Sequence, residues 1–325
     1  MLSRRNLARV CATATIIALS GSWACAQTYP DRGIRMMIAF GSGGTIDTLG
    51  RILADKVGEK LGQSITVENR AGGAGNIGAI AASQAAPDGY TIHLGAQSLG
   101  TNVTLVPAPN FDPQRDFEPV VFVAYAQDVL MVSKDGPYKT IGDLVAAAKA
   151  EPGKLNYSST GLGSSGHLAT VLFSQLAGFT AAHVPYTSVG SAVTDLQTGR
   201  ISFWIATLGG HIGNVQAGAV KALAVSGAER ARDIPDVPTF KEQGIALVEP
   251  STWFGVFAPK GTPQPAIAKL NAAFNEVMAE PEMRSRLIGL GYTLVGGPPD
   301  ALRQHLDKEI KKWAEVAKSP AFSQK

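Results

Sequence analysis

The sequence predicts an α/β protein, a clamshell of two doubly wound lobes that are joined by two crossing strands. Short β-branched runs alternate with longer helical patterns, which is typical of parallel sheets covered by helices. The alternation stops at one long apolar segment and starts again beyond it. A second apolar segment follows the second series, at the point where the chain would return to the first lobe.

The first lobe begins with a predicted strand at residues 34–40. Apolar residues then recur at helical spacing from Ile46 to Leu61, which predicts a helix. A strand at residues 65–67, a helix of small residues at 77–86 and a strand at 90–94 complete the series. The turn Pro87-Asp88-Gly89 separates the last helix from the last strand.

Residues 120–132 form the long apolar segment. It exceeds one ordinary strand and lacks helical periodicity, so we expect it to leave one sheet and enter another. Strands are predicted beyond it at 155–158, 182–186, 201–206 and 223–226, with helices at 167–176 and 191–198. The return crossing is expected near 252–258, and closing helices at 263–278, 281–287 and 299–318.

This organisation divides the chain into a leader at residues 1–26, a first lobe and a second lobe. The first lobe comprises residues 27–125 and 253–325, and the second comprises residues 126–252. One large sheet in place of two lobes is the alternative that the pattern leaves open.

The leader has the form of an export signal. Three arginines precede an apolar run, and Ala24-Cys25-Ala26 has the small-x-small pattern that signal peptidase reads. Cleavage is therefore expected between Ala26 and Gln27. The paired arginines would also allow export by the twin-arginine route. Attachment of a lipid at Cys25 is an alternative, although the residues before it suit lipidation poorly.

Removal of the leader changes the charge balance. The chain has 29 Lys and Arg residues against 26 Asp and Glu, and the three leader arginines account for the difference. A neutral protein gives no reason to expect nucleic acid or an anionic membrane as partner. Both cysteines, Cys11 and Cys25, lie in the leader, so disulfides and cysteine chemistry are excluded from the remaining chain.

Two glycine and hydroxyl loops occupy equivalent places in the two predicted lobes. They are Phe40-Gly41-Ser42-Gly43-Gly44-Thr45 and Thr160-Gly161-Leu162-Gly163-Ser164-Ser165, each between a strand and a helix. Free N–H groups at a helix start attract anions, and ligands of open sheets bind beyond the carboxyl ends of strands. The pair therefore suits a ligand with carboxylates or other acceptors. Ordinary turn and cap chemistry is the alternative for each loop.

Asp47 lies in the first turn of the helix that follows the first loop. Three roles are open to it: an interaction with the helix dipole, fixation of the glycine loop, or contact with an amine of the ligand. A carboxylate ligand would be repelled by Asp47, so direct contact with the ligand is not implied.

A second glycine-rich segment imitates a nucleotide site. Gly73, Gly75 and Gly78 match G-x-G-x-x-G between a predicted strand and a helix. The preceding strand ends in the polar Glu68-Asn69-Arg70, and the next strand is followed by no acidic residue that could hold a ribose. We therefore expect a packing or ligand loop here, and no cofactor.

The histidines indicate neither a metal site nor an enzyme. His93, His167, His183, His211 and His305 show no zinc-ligand spacing. His167 follows Ser165 at a helix start, but no G-x-S-x-G elbow surrounds either nearby serine. A hydrolase with a Ser-His pair is the enzymatic alternative. Capping or bracing of a loop is the expected role of His167.

Ordered motifs across residues 29–313 resemble the Bug receptors, the periplasmic solute-binding proteins of tripartite tricarboxylate transporters. The motifs that carry the resemblance are Gly43-Gly44-Thr45-Ile46-Asp47, Val67-Glu68-Asn69-Arg70, Pro87-Asp88-Gly89-Tyr90, Asp116-Phe117-Glu118-Pro119-Val120, Pro152-Gly153-Lys154-Leu155-Asn156-Tyr157, His183-Val184-Pro185-Tyr186, Pro235-Asp236-Val237-Pro238-Thr239 and Ala258-Pro259-Lys260-Gly261-Thr262-Pro263.

The resemblance implies a periplasmic-binding-protein fold of type II. It implies a monomer that closes on a small organic acid, amino acid or aromatic acid and delivers it to a membrane permease. The family's ligand loops correspond to residues 40–47, 98–102 and 160–167, with Tyr186 and the loop after it. The expected ligand-binding residues are Phe40, Ser42, Gly43, Gly44, Thr45, Asp47, Ser98, Asn102, Thr160, Gly161, Gly163, Ser164, Ser165, His167, Tyr186 and Gly190.

Some positions depart from the family pattern. Ser42 stands where the family usually has proline, and Trp204 fills a position that is usually smaller. Both lie in the expected pocket region, so no particular ligand is transferred to this chain. A periplasmic sensor that docks on a two-component histidine kinase is the alternative function, because it would use the same cleft.

Overall fold

The computed structural model describes residues 29–108, 110–161, 163–246 and 252–317. The predicted leader and its cleavage site lie outside these ranges, as does Leu162 of the second loop. The described chain forms two open α/β sheets, one in each lobe, which confirms the predicted fold class. None of the helices in these ranges combines the length and the apolarity needed to cross a bilayer.

The first part of the chain builds most of the first lobe. Its elements are β1 (Ile34–Ile38), α1 (Thr45–Leu61), β2 (Ile65–Asn69), α2 (Asn76–Ser83), β3 (Thr91–Ala96), α3 (Ser98–Leu105), α4 (Pro113–Asp116) and β4 (Phe117–Ala126). The region predicted as a ligand loop at residues 98–102 is thus the first turn and a half of a helix.

The middle part builds the second lobe, and the last part returns to the first. The second lobe contains β5 (Asp128–Val132), α5 (Ile141–Ala150), β6 (Asn156–Ser159), α6 (Ser165–Ala177), β7 (Ala182–Pro185), α7 (Val189–Gln197), β8 (Phe203–Thr207), α8 (Ile212–Gln216) and β9 (Lys221–Val225). The returning chain forms β10 (Thr252–Pro259), α9 (Gln264–Ala279), α10 (Pro281–Gly289), β11 (Tyr292–Leu294) and α11 (Pro299–Val316).

The two sheets share one strand order. The first sheet runs β11-β4-β10-β3-β1-β2 and the second runs β7-β6-β8-β5-β9. In each, the central strand of a parallel trio is the first of its series, β1 or β6. The loops that follow β1 and β6 therefore occupy equivalent places, as predicted.

Neither sheet is wholly parallel, unlike the expectation from the alternating pattern. β10 is antiparallel to both β3 and β4, and β5 is antiparallel to both β8 and β9. The reason is the connection between the lobes, because each of these strands reaches its sheet from the other lobe and enters it from the opposite end.

The crossing predicted at residues 120–132 is confirmed. Ala126 pairs with Thr252 and Tyr292 in the first sheet, and Asp128 pairs with Thr207 in the second. Gln127 alone lies between the two sheets. The segment predicted to cross back near 252–258 is β10, which lies wholly in the first sheet because both of its edges are paired there. The return must therefore precede Thr252.

Apolar cores cover both faces of each sheet, which is why the strands read as nearly continuous hydrophobic runs. In β1, Met36 and Ile38 pack with Leu49 and Leu53 of α1, whereas Met37 points to the opposite core beneath α11. The second sheet likewise has one core around Phe173 and Phe203 and another around Trp204. The lobe boundaries given above, at residues 125/126 and 252/253, stay a prediction.

Close packing of α2 on β1 requires glycine at position 78. A Cβ atom at Gly78 would lie 2.6 Å from Ala39 Cα and 2.7 Å from the Arg70 carbonyl oxygen, both of them backbone atoms. In a free helix, alanine would be more stable than glycine by about 0.5–1 kcal/mol. Here the clash opposes that gain.

We expect Gly78→Ala to lower the free energy of unfolding by about 1–3 kcal/mol, the usual range for overpacking. Gly213→Ala is the matched control, because Gly213 is also helical and a Cβ atom there would meet nothing within 4 Å. Urea unfolding followed by circular dichroism measures both. An equal response of the two variants would contradict the packing role.

Candidate functional site

A cavity of about 280 Å³ lies between the lobes, at the carboxyl ends of β1, β3, β6 and β8. Nine of the residues predicted to bind ligand line it: Phe40, Ser42, Gly44, Thr45, Thr160, Gly161, Ser164, Ser165 and Tyr186. All except Tyr186 come from one or other of the paired glycine loops, so the loops do face a common space.

The first loop leads into α1 with no side-chain cap. Gly44 is the N-cap residue, and it has no side-chain oxygen that could accept hydrogen bonds from the first N–H groups of the helix. Those groups are normally satisfied by a cap, water or a ligand. The amino end of this 17-residue helix therefore lies open at the cavity, where it favours an anion.

Asp47 holds the first loop from behind. Its Oδ2 accepts hydrogen bonds from Gly43 N (2.9 Å) and Arg51 Nε (3.0 Å), and its Oδ1 accepts one from Asn69 Nδ2 (2.9 Å). Burial alone would raise the pKa of Asp47, but these hydrogen bonds lower it overall. Asp47 and Gly43 lie outside the cavity wall, which favours the loop-fixing role among the three considered.

The second loop is braced by a pair of histidines whose rings pack at a tilt. Gly163 N donates to His167 Nδ1 (3.3 Å), and the rings of His167 and His183 lie 4.5 Å apart. Ser159 Oγ lies 2.6 Å from His183 Nε2 and also contacts both backbone groups of Gly161. This Ser-His contact is buried outside the cavity wall, and His167 braces the loop as expected.

Three other predicted residues, Asn102, Ser98 and Gly190, lie outside the cavity wall. Asn102 Nδ2 donates to the Ala74 carbonyl (2.9 Å) and to Asn76 Oδ1 (3.0 Å), which ties α3 to the glycine segment. Ser98 is buried at the start of α3. Gly190 lies in the first turn of α7, where its carbonyl accepts a hydrogen bond from Thr194 Oγ1.

The glycine-rich segment 72–75 lines the cavity, and the same motif packs α2 on β1 through Gly78. Gly72, Gly73 and Gly75 have positive φ angles, and even Ala74 has φ of 56°. These backbone conformations suit glycine, and they turn the segment toward Phe40 and Ser98. The expected packing role is seen at Gly78. A role of residues 72–75 in ligand binding stays a prediction.

Sequence reasoning missed five wall residues at or near strand ends: Gln97, Thr207, His211, Thr252 and Phe254. Trp204, expected in the pocket region, also lines the cavity. Gln97 follows β3, Thr207 ends β8 and His211 lies shortly after it, whereas Thr252 and Phe254 lie at the start of β10. β3 and β8 are the neighbours of β1 and β6, the strands that lead into the two loops. The rule that ligands bind beyond strand ends applies to these residues as much as to the glycine loops. Only the strand register shows which strand ends lie at the same cavity.

A chain of hydroxyl groups runs along the base of the cavity. Ser165 Oγ lies 3.5 Å from Thr207 Oγ1, which lies 3.3 Å from Thr252 Oγ1. Thr252 Oγ1 donates to Asp128 Oδ1 (3.1 Å), a fully buried carboxylate at the start of β5. The chain thus joins the start of α6 to both connections between the lobes.

The lobes contact each other on two sides of the cavity. Thr45 Oγ1, at the start of α1, donates to the Thr207 carbonyl of the second lobe (3.2 Å). Thr101 Oγ1 of α3 lies 3.5 Å from the Gly163 carbonyl oxygen. Thr45 and Thr207, which both line the cavity, therefore also connect the lobes.

No Asp, Glu, Lys or Arg residue is found among the described residues that line the cavity. Attraction for an anion must come from backbone N–H groups, hydroxyls and the amino ends of α1 and α6. The apolar wall is formed by Phe40, Tyr186, Trp204 and Phe254. This combination suits a small acid with an apolar or weakly polar body.

We expect Asp47→Asn to lower the free energy of unfolding by about 1.5–3 kcal/mol, because charge-assisted hydrogen bonds to the loop are lost. The share due to Arg51 is reduced by its exposure to solvent. The pKa of Asp47 is lowered in the folded state, so its contribution is present at neutral pH and disappears as pH falls through the folded pKa.

Urea unfolding at pH 7 and at low pH tests this expectation. Asp55→Asn is the control, since Asp55 is exposed on the same helix and should change stability by less than about 0.5 kcal/mol. A gap between Asp47→Asn and the original protein that stays constant down to low pH would argue against a role for the ionised carboxylate.

The buried histidines predict a second pH dependence. Burial lowers the pKa of His211 to about 4, and burial together with His183 lowers the pKa of His167 to about 4. Below about pH 6.5 these histidines bind protons in the unfolded chain but stay unprotonated in the folded chain. Stability should therefore fall as pH drops from about 6.5 toward 4. His167→Gln should show a shallower fall in thermal unfolding, and an unchanged slope would contradict this.

Comparison with known proteins identifies the family. The family model for the tripartite tricarboxylate transporter family receptor matches residues 49–321. The chain is 35% identical to the protein BugT of Bordetella pertussis over 318 residues, which cover 96% of this chain and 98% of BugT.

Three solved structures share the fold over nearly the whole of both chains. The periplasmic binding protein BugD aligns with a TM-score of 0.84 and 30% identity, over 89% of this chain and 98% of BugD. An adipate-bound protein of R. palustris aligns at 0.85 and 34%, over 89% and 97%. MatC from Rhodopseudomonas palustris with bound malate aligns at 0.84 and 30%, over 89% and 100%. The chain therefore belongs to the receptor family of the tripartite tricarboxylate transporters.

Proposed function

We propose that this protein captures a small organic acid in the cleft between its lobes and delivers it to a tripartite tricarboxylate-type permease. The observation that carries the proposal is the uncharged cavity onto which the uncapped amino end of α1 opens, opposite the start of α6. Two relatives of similar fold were solved with carboxylates, adipate and malate. Family membership supports delivery to a transporter.

We propose that the predicted residues in the cavity wall contact the ligand directly. The carboxylate would lie between the first turns of α1 and α6, where Ser165 would add a hydroxyl donor to the backbone N–H groups. Thr45 would add a second hydroxyl donor on release of the Thr207 carbonyl. Asp47, Asn102 and His167 would act indirectly by holding the loops. Binding would proceed without turnover of the ligand.

The predicted export signal and the membership of a receptor family together support action in the periplasm, as a monomer. Lobe closure would involve hinge motion at the connection around Gln127. The closed protein would then present both lobes to the permease.

Binding is tested by thermal unfolding against di- and tricarboxylates, amino acids and aromatic acids. A ligand at 100 times its Kd should stabilise the protein by about 2.7 kcal/mol. The corresponding primary amides serve as controls, because they lack the charge that the helix ends favour. Absence of stabilisation by every acid in the panel would overturn the proposal.

Substitution of the hydroxyl donors tests the placement of the carboxylate. We expect Thr45→Val and Ser165→Ala each to weaken binding of the best acid by roughly 3- to 10-fold, the value of one hydrogen bond. Thr198→Val is the matched control, since Thr198 is exposed at the end of α7. Isothermal titration calorimetry gives the three affinities, and unchanged binding in both cavity variants would place the carboxylate elsewhere.

A further inference from the structure

Two buried polar side chains in the cavity wall have atoms without partners. Gln97 is 3% exposed and His211 is 4% exposed, and both line the cavity. Gln97 Oε1 and His211 Nδ1 make no hydrogen bond within the described part of the chain. Gln97 follows β3 of the first lobe, and His211 lies shortly after β8, the equivalent strand of the second.

An unpaired buried polar atom is costly, so nearly all such atoms in native proteins are satisfied by protein, water or ligand. Two in the wall of one cavity point to a partner that enters the cavity. The last torsion of each side chain is broad, so a small rotation would present the polar atom to a ligand.

The chemistry of the two side chains defines that partner. Burial lowers the pKa of His211 to about 4, so its ring is neutral at physiological pH, with one nitrogen that donates and one that accepts. The amide of Gln97 also donates and accepts. An ionised carboxylate only accepts, so it would leave Gln97 Oε1 without a partner. A hydroxyl group can satisfy both kinds of atom.

The surroundings favour a compact neutral group at this position. The ring of Trp204 lies 4.6 Å from that of His211 in an edge-to-face arrangement, and Phe254 completes the apolar wall. The described wall residues include no cation to neutralise a second charge.

We infer that Gln97 and His211 form a recognition point for a hydroxyl group on the ligand, so that the preferred ligands are hydroxy acids. This inference rests on the proposed function, since it assigns a ligand class to the same cleft. The two recognition points are formed by different residues, so they can be tested separately.

The test compares acids that differ only by a hydroxyl group. Calorimetry is run on malate against succinate, citrate against tricarballylate, and phenyllactate against phenylpropionate. For the pair that binds best, we expect the hydroxy acid to bind at least roughly 10-fold more tightly, since failure to pair a buried polar group costs that much or more. Equal affinities within every pair would overturn the inference and leave the proposed function standing. If no acid binds, the proposed function fails as well.

Variants then assign the preference to the two side chains. Gln97→Met and His211→Phe should each reduce the hydroxy-to-deoxy affinity ratio toward 1. His211→Gln, which keeps a donor and an acceptor, should retain most of the ratio. Gln175→Met on the exposed face of α6 is the control. A ratio that survives both Gln97→Met and His211→Phe would overturn the assignment.

A measurement on the unaltered protein covers the case in which a variant does not fold. In protein with ¹⁵N-labelled imidazoles, the hydroxy acid should shift the His211 ring resonances more than its deoxy partner does. The resonances of His93, buried away from the cavity, supply the internal reference. Equal shifts of the His211 resonances with both acids would also overturn the inference.

Discussion

The passage of the chain between the two sheets is the constraint on which the rest of the structure depends. Gln127 alone separates β4 from β5, and its Nε2 is anchored by the carbonyls of Ser226 (2.8 Å) and Glu229 (2.9 Å). Thr252, at which β10 begins in the first sheet, lies beside this passage, because it pairs with Ala126 and bonds to Asp128. With Gln127 and Thr252 at one place, the two sheets direct the carboxyl ends of their parallel strands toward each other.

That constraint explains how a site can arise without charged side chains. Each lobe contributes a glycine loop and a helix start, and neither alone surrounds a ligand. The loops are held from behind by Asp47 in one lobe and by His167 with His183 in the other. Charged and polar side chains thus hold the backbone of the site, while the lining of the cavity stays uncharged.

Much of this could be predicted from the sequence, because its signals are local. The spacing of apolar residues predicted α1, and the glycine and hydroxyl clusters after two strands predicted the paired loops. The helix α5 was not predicted, although Thr140 and Asp143 form a capping box that signals its start. The helix α3 carries Thr, Asn and Gly on a buried surface, so its sequence resembles a loop.

The remaining wall residues could not be predicted, because their positions depend on strand register. Gln97, His211 and Phe254 are far apart in sequence, and only the order β10-β3-β1 in one sheet and β6-β8-β5 in the other brings them together. Local patterns also suggested wholly parallel sheets, since they cannot show that a strand arrives from the other lobe. The sequence thus predicts which loops carry a site more reliably than it predicts the walls between them.

The neutrality of the cavity has a consequence for the conditions in which the protein can work. Charged side chains at a binding site make affinity sensitive to ionic strength, because mobile ions screen them over about 10 Å at 0.1 M salt. Backbone N–H groups and hydroxyls in a confined space act at contact distance, within which no mobile ion fits. They also do not titrate near neutral pH. A receptor built in this way keeps its affinity for a ligand when the salt concentration around it changes. This is an advantage in a compartment whose salt concentration the cell does not control.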